Sequence, residues 1–333
     1  MLSVFGKLPQ GADLERIQQS PNYKNGSFQN LNDTPMMAPD ASYWKLTKMY
    51  FKKQLDPVPL EAVPSVQTNL RQLSEEAQLV WFGHSSYLLK VQGLTFLLDP
   101  VFSGSASPFS FLVKNFKGAN VYSVDEMPDI DYLVLSHDHY DHLDYKTVKA
   151  LKSKVKKVIC ALGVGAHLKH WGYEASKITE LDWWDEYQDE NGVKLTATPA
   201  RHFSGRLFKR GQSFWNSYVL QLGVSQIYIG GDSGYDEHFK MIGERFGYFD
   251  VAILECGQYN KMWQYIHMMP EEVAQAGMDL KAAFVIPVHW GKFKLALHPW
   301  QEPITRLKAA AEQHSVRIEE PVIGRPIVIE SKR

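Results

Sequence analysis

The most informative stretch of the chain is S-H-D-H-Y-D-H-L-D, residues 136–144. It follows the run D-Y-L-V-L, residues 131–135, which predicts a buried strand. Three of the chain's 12 histidines fall within six positions, where this strand opens into a loop. Imidazole nitrogen and carboxylate oxygen are ligands that suit zinc, iron or manganese.

The spacing within this stretch favours more than one metal ion. His137 and His139 are two positions apart, so on extended backbone their side chains point the same way. Asp141 and His142 follow on the loop and can reach a second point close by. One turn can therefore supply ligands to two metals.

Three further residues could complete such a site. His202 follows T-P-A-R, Asp232 follows I-G-G, and His289 follows V-I-P-V. Each lies at the end of an apolar, strand-like segment beside Gly or Pro, where a side chain can project into a cleft. Taken singly, each is more often a structural residue than a ligand, but their order along the chain matters.

The pattern H-x-H-x-D-H at residues 137–142 resembles the signature of the metallo-β-lactamase superfamily, whose members are mostly hydrolytic metalloenzymes. That superfamily repeats the same order of a later His, a Gly-Asp and a last His. The resemblance implies an α/β fold, a four-layer αββα sandwich. It also implies that one metal is held by His137, His139 and His202, the other by Asp141, His142 and His289, and that Asp232 bridges them.

A narrower resemblance is to the N-acyl-phosphatidylethanolamine-hydrolysing phospholipase D-like branch of that superfamily. It rests on motifs between residues 81 and 291: W-F-G-H-S-S, F-L-L-D-P, P-A-R-H-F-S-G-R, G-D-S-G-Y, H-M-M-P-E-E and H-W-G. The resemblance implies that Asp99 supports the metal ligands. It gives His267 a place at the edge of the cavity, with catalytic roles for Asp141, Asp232 and His267. His84 follows a strand in G-H-S, residues 83–85, a position from which it could face the metals. The segment L-F-K-R-G-Q-S-F-W, residues 207–215, departs from the branch pattern.

A basic cluster surrounds His202 in the sequence and consists of Arg201, Arg206, Lys209 and Arg210. It is either a solvated loop or a rim that recognises phosphate, since an arginine fork matches phosphate oxygens. We expect Arg206 to contact the substrate. The aromatic residues Trp183, Trp184 and Trp263 either cover the core or line an apolar pocket.

Composition limits the class of protein. The formal net charge of −1 gives no support for nucleic-acid binding. Cys160 and Cys256 lie in apolar segments and predict buried thiols rather than a disulfide. The sequence contains no run of 18 apolar residues, so we expect no membrane-spanning helix. We expect a cytoplasmic protein, with peripheral membrane contact and a homodimer left open.

The composition and hydrophobic pattern of the chain change near residue 77. Residues 1–76 are rich in Pro, Asn and Gln and predict an extended arm with one helix, roughly residues 41–54. The aromatic residues Tyr43, Trp44, Tyr50 and Phe51 of that helix would pack on the main domain, although a membrane- or partner-binding arm is the alternative. Residues 77–333 alternate short apolar runs with helix-like stretches, which excludes an all-α or all-β fold.

These observations lead to one principal hypothesis and two alternatives. The principal one is a hydrolase with two divalent metal ions, most simply zinc but also manganese or iron, acting on a lipid or small-molecule phosphodiester. Two metals roughly 3.5–4 Å apart can activate water and polarise a carbonyl or phosphoryl oxygen. A lactonase or another hydrolase of cyclic esters or amides would use the same metal pair. A metal-binding protein without hydrolytic turnover is the alternative from another class.

Overall fold

The structure is a computed structural model that describes residues 2–51, 56–206 and 209–331. The strands are β1 Tyr23–Lys24, β2 Ser27–Phe28, β3 Gln78–Trp81, β4 Tyr87–Val91, β5 Leu94–Leu98, β6 Ile130–Leu135, β7 Val155–Ala161, β8 Ile178–Leu181, β9 Glu186–Gln188, β10 Lys194–Thr198, β11 Ser217–Leu222, β12 Ser225–Ile229, β13 Val251–Glu255, β14 Val285–Val288 and β15 Pro326–Val328. The α-helices are α1 Ala12–Gln18, α2 Tyr43–Phe51, α3 Tyr145–Leu151, α4 Gly165–His170, α5 His238–Phe246, α6 Pro270–Asp279 and α7 Glu302–His314.

Two mixed sheets form the centre of the molecule. The seven-stranded sheet has the order β15-β3-β4-β5-β6-β7-β8, and the six-stranded sheet has the order β14-β13-β12-β11-β10-β9. Strands β5 to β8 are parallel to one another, as are β12 to β14, and the remaining neighbours pair antiparallel. In each sheet the parallel strands thus direct their carboxyl ends towards one edge.

Successive side chains of a strand point to opposite faces of its sheet and pack into two separate cores. In β6, Tyr132 and Val134 join the core between the two sheets, whereas Leu133 and Leu135 join the core on the outer face. Because both faces of β6 are covered, its sequence is a nearly continuous apolar run. The same division holds along β3 and β4.

Helices cover the outer faces and complete four layers. Val148 of α3 and Leu168 of α4 pack against the seven-stranded sheet. Apolar residues of α5, α6 and α7 pack with the six-stranded sheet. The prediction of a four-layer αββα sandwich is therefore confirmed. No helix among the described residues is long and apolar enough to cross a membrane.

The N-terminal segment has more structure than the sequence predicted. Besides α2 it contains α1 and the β1–β2 hairpin, and Ile17 and Phe28 are buried in the outer core. Phe28 stacks on Phe214 with ring centroids 4.4 Å apart. Trp44 is 72% exposed, so the expectation that it packs on the main domain is wrong. The side chains of Tyr43, Tyr50 and Phe51, and residue 54, lie outside what the structure describes.

Candidate metal centre

The side chains predicted as ligands meet at one edge of the sandwich. The loop with His137, His139 and His142 follows β6, and His202 follows β10. Asp232 comes after β12, and His289 directly follows β14. Since carboxyl ends of parallel strands meet at one sheet edge, these loops converge where the two sheets face each other.

A first cluster consists of the three histidines His137, His139 and His202, one ligand nitrogen of each lying within 4.8 Å of the others. His137 Nε2 is 2.9 Å from His139 Nδ1, which is 3.3 Å from His202 Nε2. Nitrogens around a tetrahedral zinc, bound at ~2.0–2.1 Å, are about 3.3 Å apart. The three nitrogens thus have spacings suited to one metal ion.

A second cluster joins His84, Asp141, His142 and His289, again within 4.8 Å of one another. Asp141 Oδ2 lies 2.9 Å from His84 Nε2 and 3.6 Å from His142 Nε2. The rings of His84 and His289 have centroids 4.0 Å apart. His84, whose position after a strand suggested that it faces the metals, lies within this cluster itself.

Asp232 lies between the two clusters. Its Oδ2 is 3.1 Å from His142 Nε2, 3.8 Å from His202 Nε2 and 4.0 Å from His137 Nε2. Its Oδ1 is 3.1 Å from His289 Nδ1. Burial opposes ionisation, but His142 and His289 hold the pKa of the Asp232 carboxyl well below its usual range. A buried carboxylate whose Oδ2 lies within 4.0 Å of histidines from both clusters has the position of a bridge.

The site fits metal ions because several of its buried polar atoms have no hydrogen-bond partner. Among the described residues, these atoms include His289 Nε2, His84 Nδ1 and Asp232 Oδ1, whose 3.1 Å contact with His289 Nδ1 does not have hydrogen-bond geometry. A buried polar atom without a partner costs roughly 1–3 kcal/mol. Four histidines and an aspartate of these groups are at most 3% exposed (His137, His142, His202, His289 and Asp232), and cations would satisfy their lone pairs.

Asp99 binds two residues of the loop that carries His137, His139 and His142. Its Oδ1 accepts a hydrogen bond from the Ser136 N–H at 2.8 Å, and its Oδ2 lies 2.8 Å from His142 Nδ1. A hydrogen bond to Nδ1 fixes the tautomer and aim of an imidazole, so His142 turns Nε2 towards Asp232. The structure thus places Asp99 behind a candidate ligand, as the resemblance implied.

Glu255, at the end of β13, is a site residue that the sequence analysis missed. It is 1% exposed, accepts the Met268 N–H at Oε1 and places Oε2 3.3 Å from His267 Nδ1. Burial raises the pKa of the Glu255 carboxyl to about 7, although His267 lowers it. Its position as the last residue of an apolar strand, like Asp99 after β5, was the signal that could have found it.

The basic cluster around His202 is divided by the fold. Arg206 is 4% exposed, and its guanidinium donates to the carbonyl oxygens of Asp138, Leu143 and Val4 at 2.6–2.8 Å. The prediction that Arg206 contacts the substrate is therefore not supported, because these carbonyls bind the guanidinium under the loop. Arg201 is likewise bonded to Thr34 and the carbonyl of Asp33.

A cavity of about 310 Å³ opens over the metal centre. Its apolar wall includes Met36, Met37, Leu46, Trp263, Ile266 and Leu295, and its floor includes His139, Asp141, Asp232, His267 and His289. Arg210 also lines it, with the guanidinium 5.0 Å from the ring centroid of Phe203, which contacts His139. Trp263 thus lines the cavity as one reading predicted, whereas Trp183 is buried in the outer core.

Comparisons with known proteins agree with this fold. Residues 95–290 match the family model described as a β-lactamase superfamily domain. An uncharacterized protein of Mycobacterium tuberculosis (strain H37Rv) is 38% identical over 95% of this chain and 88% of its own length. N-acyl-phosphatidylethanolamine-hydrolyzing phospholipase D 1 of Caenorhabditis elegans is 31% identical over 68% of each chain. A metallo hydrolase from Ignicoccus hospitalis superposes with a TM-score of 0.60 at 17% identity, over 77% of this chain and 99% of that one.

Proposed function

Because the chain belongs to the β-lactamase superfamily of metal-dependent hydrolases, we propose that it is a binuclear enzyme that hydrolyses phosphodiesters. The observation that carries the proposal is the pair of ligand clusters with Asp232 between them. A single-metal site would need only one of these clusters. Two buried clusters at the base of one cavity favour a substrate held across two cations.

Each cluster would hold one ion. His137, His139 and His202 would bind the first, and Asp141, His142 and His289 the second, with Asp232 shared. Divalent metals supply a water of lowered pKa, near ~7, and polarise a phosphoryl or carbonyl oxygen. The residues themselves would fix where the substrate lies relative to that chemistry.

The remaining polar residues would orient the reacting groups. Asp141, held by His84 at 2.9 Å, would orient the attacking water. His267 has Nδ1 turned to Glu255, which leaves Nε2 for a hydrogen bond to the substrate at the cavity wall. Asp99 would keep His142 in place through its contact with Nδ1.

Charge and shape support a phosphodiester with an apolar group. Arg210 lines the cavity and its guanidinium lies over the ring of Phe203, whereas the guanidinium of Arg206 is held by buried carbonyls. A guanidinium there can contact a phosphate oxygen by a charge-assisted hydrogen bond. The methionine, leucine and tryptophan side chains of the wall suit an acyl, alkyl or aryl substituent.

A hydrolysis panel tests the proposal. The remetallated protein would be assayed on bis(p-nitrophenyl) phosphate, an N-acyl-phosphatidylethanolamine, simple lactones and a β-lactam, with Asp232→Asn as the matched inactive control. We expect the phosphodiesters to have the higher kcat/KM. A kcat/KM for lactones that exceeds that for phosphodiesters by a wide margin would instead identify the chain as a lactonase. Absence of turnover on all substrates at full metal content would indicate a metal-binding protein without hydrolytic activity.

A further inference from the structure

The N-terminal segment reaches the candidate metal centre at Asn30, in the stretch between β2 and α2. Asn30 Nδ2 donates to the carbonyl oxygen of His202 at 2.8 Å, and the His202 N–H donates back to Asn30 Oδ1 at 3.1 Å. The same Oδ1 accepts from Trp215 Nε1 at 2.9 Å. A single side chain therefore binds both backbone groups of a candidate ligand.

Neighbouring contacts hold the two chain segments together on either side of this pair. On one side, Arg201 donates to Thr34 Oγ1 at 3.0 Å and to the Asp33 carbonyl at 2.9 Å. On the other side, the Phe28 N–H donates to the Gly211 carbonyl at 2.9 Å. The stretch from Phe28 to Thr34 thus runs alongside the loop that carries His202.

The side chain of His202 depends on where its backbone lies. Its Nδ1 is 2.9 Å from the Ile266 carbonyl, which turns Nε2 towards His139 at 3.3 Å. The Ile266 carbonyl orients the ring, and Asn30 sets the backbone from which it projects. A small shift of that backbone would move Nε2 out of the spacing that the first cluster shows.

We propose that Asn30 is a positioning residue for His202, so that the N-terminal segment is a working part of the metal centre. The inference rests on the proposed role of His202 as a metal ligand. Residue 30 precedes the region that the family model matches, residues 95–290, so the contact joins the N-terminal segment to a residue of that region.

The test measures the zinc affinity of Asn30→Ala by competition with a chromophoric chelator, with zinc as the only metal ion present. Loss of a partner that orients a metal ligand typically weakens metal binding by ~10–100-fold. We expect one of the two zinc ions to be weakened by that factor and the other to be little changed. Asn32→Ala is the matched control, because Asn32 lies in the same stretch but bonds to Asp236 at 3.0 Å.

A purely structural role would give a different result. In that case Asn30→Ala would lower the melting temperature of the zinc-free protein while leaving both zinc affinities unchanged, and the inference would be overturned. Asn30→Asp keeps the acceptor for the His202 N–H but loses the donor to its carbonyl. Its affinity for the weakened zinc should lie between those of the unaltered protein and Asn30→Ala. If unaltered protein binds no zinc, the proposed function fails first; if it binds two and Asn30→Ala matches it, only this inference fails.

Discussion

Three residues at the metal centre have positive φ angles, a backbone conformation that residues other than glycine rarely adopt. The φ angles are +55° at His84, +37° at Asp99 and +67° at His289. Each such conformation costs on the order of 1–3 kcal/mol and persists only where its surroundings impose it. All three follow strands, and their side chains either belong to the second cluster or, for Asp99, support one of its histidines, so the strain is concentrated around the metal centre.

The ligands could be predicted from sequence because each is a histidine or aspartate in a loop that follows an apolar run. Glu255 ends such a run and could have been found by the same signal, whereas Asn30 could not, since its partner His202 is 172 positions away. The error at Arg206 has the same origin. Its place beside His202 in the sequence gives no sign that its guanidinium is directed under the loop.

Asp232→Asn tests the bridging position. A neutral amide would screen two cations less well and would offer only one oxygen. We expect turnover to fall by orders of magnitude and at least one metal to be lost, while circular dichroism shows an unchanged fold. Near-native kinetics at full metal content would mean that Asp232 is not a ligand.

Arg210→Ala and Arg206→Ala should separate substrate recognition from structure. Loss of a charge-assisted contact costs about 1.5–3 kcal/mol, so Arg210→Ala should lower kcat/KM for a phosphodiester by about 10- to 100-fold and leave lactone hydrolysis unchanged. Arg206→Ala should instead lower the melting temperature. Equal losses on both substrate classes in Arg210→Ala would refute its role with phosphate.

At the level of secondary structure, the strands with long apolar runs were predictable and the short ones were not. The apolar run V-I-C-A-L, residues 158–162, for example, lies in β7 and the turn that follows it. Strands β8, β9 and β15 were missed because they are at most four residues long and mix polar with apolar side chains. Their pairing is decided by neighbours distant in sequence, such as β3 for β15.

Lys292 connects loops from three elements and gives the fold a pH dependence. Its buried Nζ donates to the carbonyls of Phe82 and Val101 at 3.0 and 2.8 Å, after β3 and β5, while the lysine itself follows β14. Burial lowers the pKa of Lys292 to about 7. Above that pH the folded state releases a proton that the unfolded lysine keeps up to ~10.4, so stability should rise with pH in this window.

Lys292→Met removes this titration. We expect the free energy of unfolding of the unaltered, metal-free protein to increase relative to that of Lys292→Met as the pH rises from 7 to 9. Urea titrations at several pH values in a chelating buffer measure the difference. Parallel stability curves for the two proteins would show that Lys292 keeps its ordinary pKa.

For the whole molecule, the metal centre joins the two sheets. His137, His139 and His142 come from the seven-stranded sheet, whereas His202, Asp232 and His289 come from the six-stranded sheet. A cation bound between them would stabilise the sandwich itself. At free metal a thousand-fold above Kd, one site adds about 4 kcal/mol to stability. We therefore expect chelation to lower the melting temperature by several degrees, and zinc to restore it.

The central claim, two metals per chain, is tested most directly by elemental analysis of protein purified without chelator and then loaded with zinc. Two buried clusters that share Asp232 predict a plateau at two zinc equivalents, with phosphodiester turnover rising to its maximum at the same point. A firm plateau at one equivalent or at none would contradict the binuclear centre.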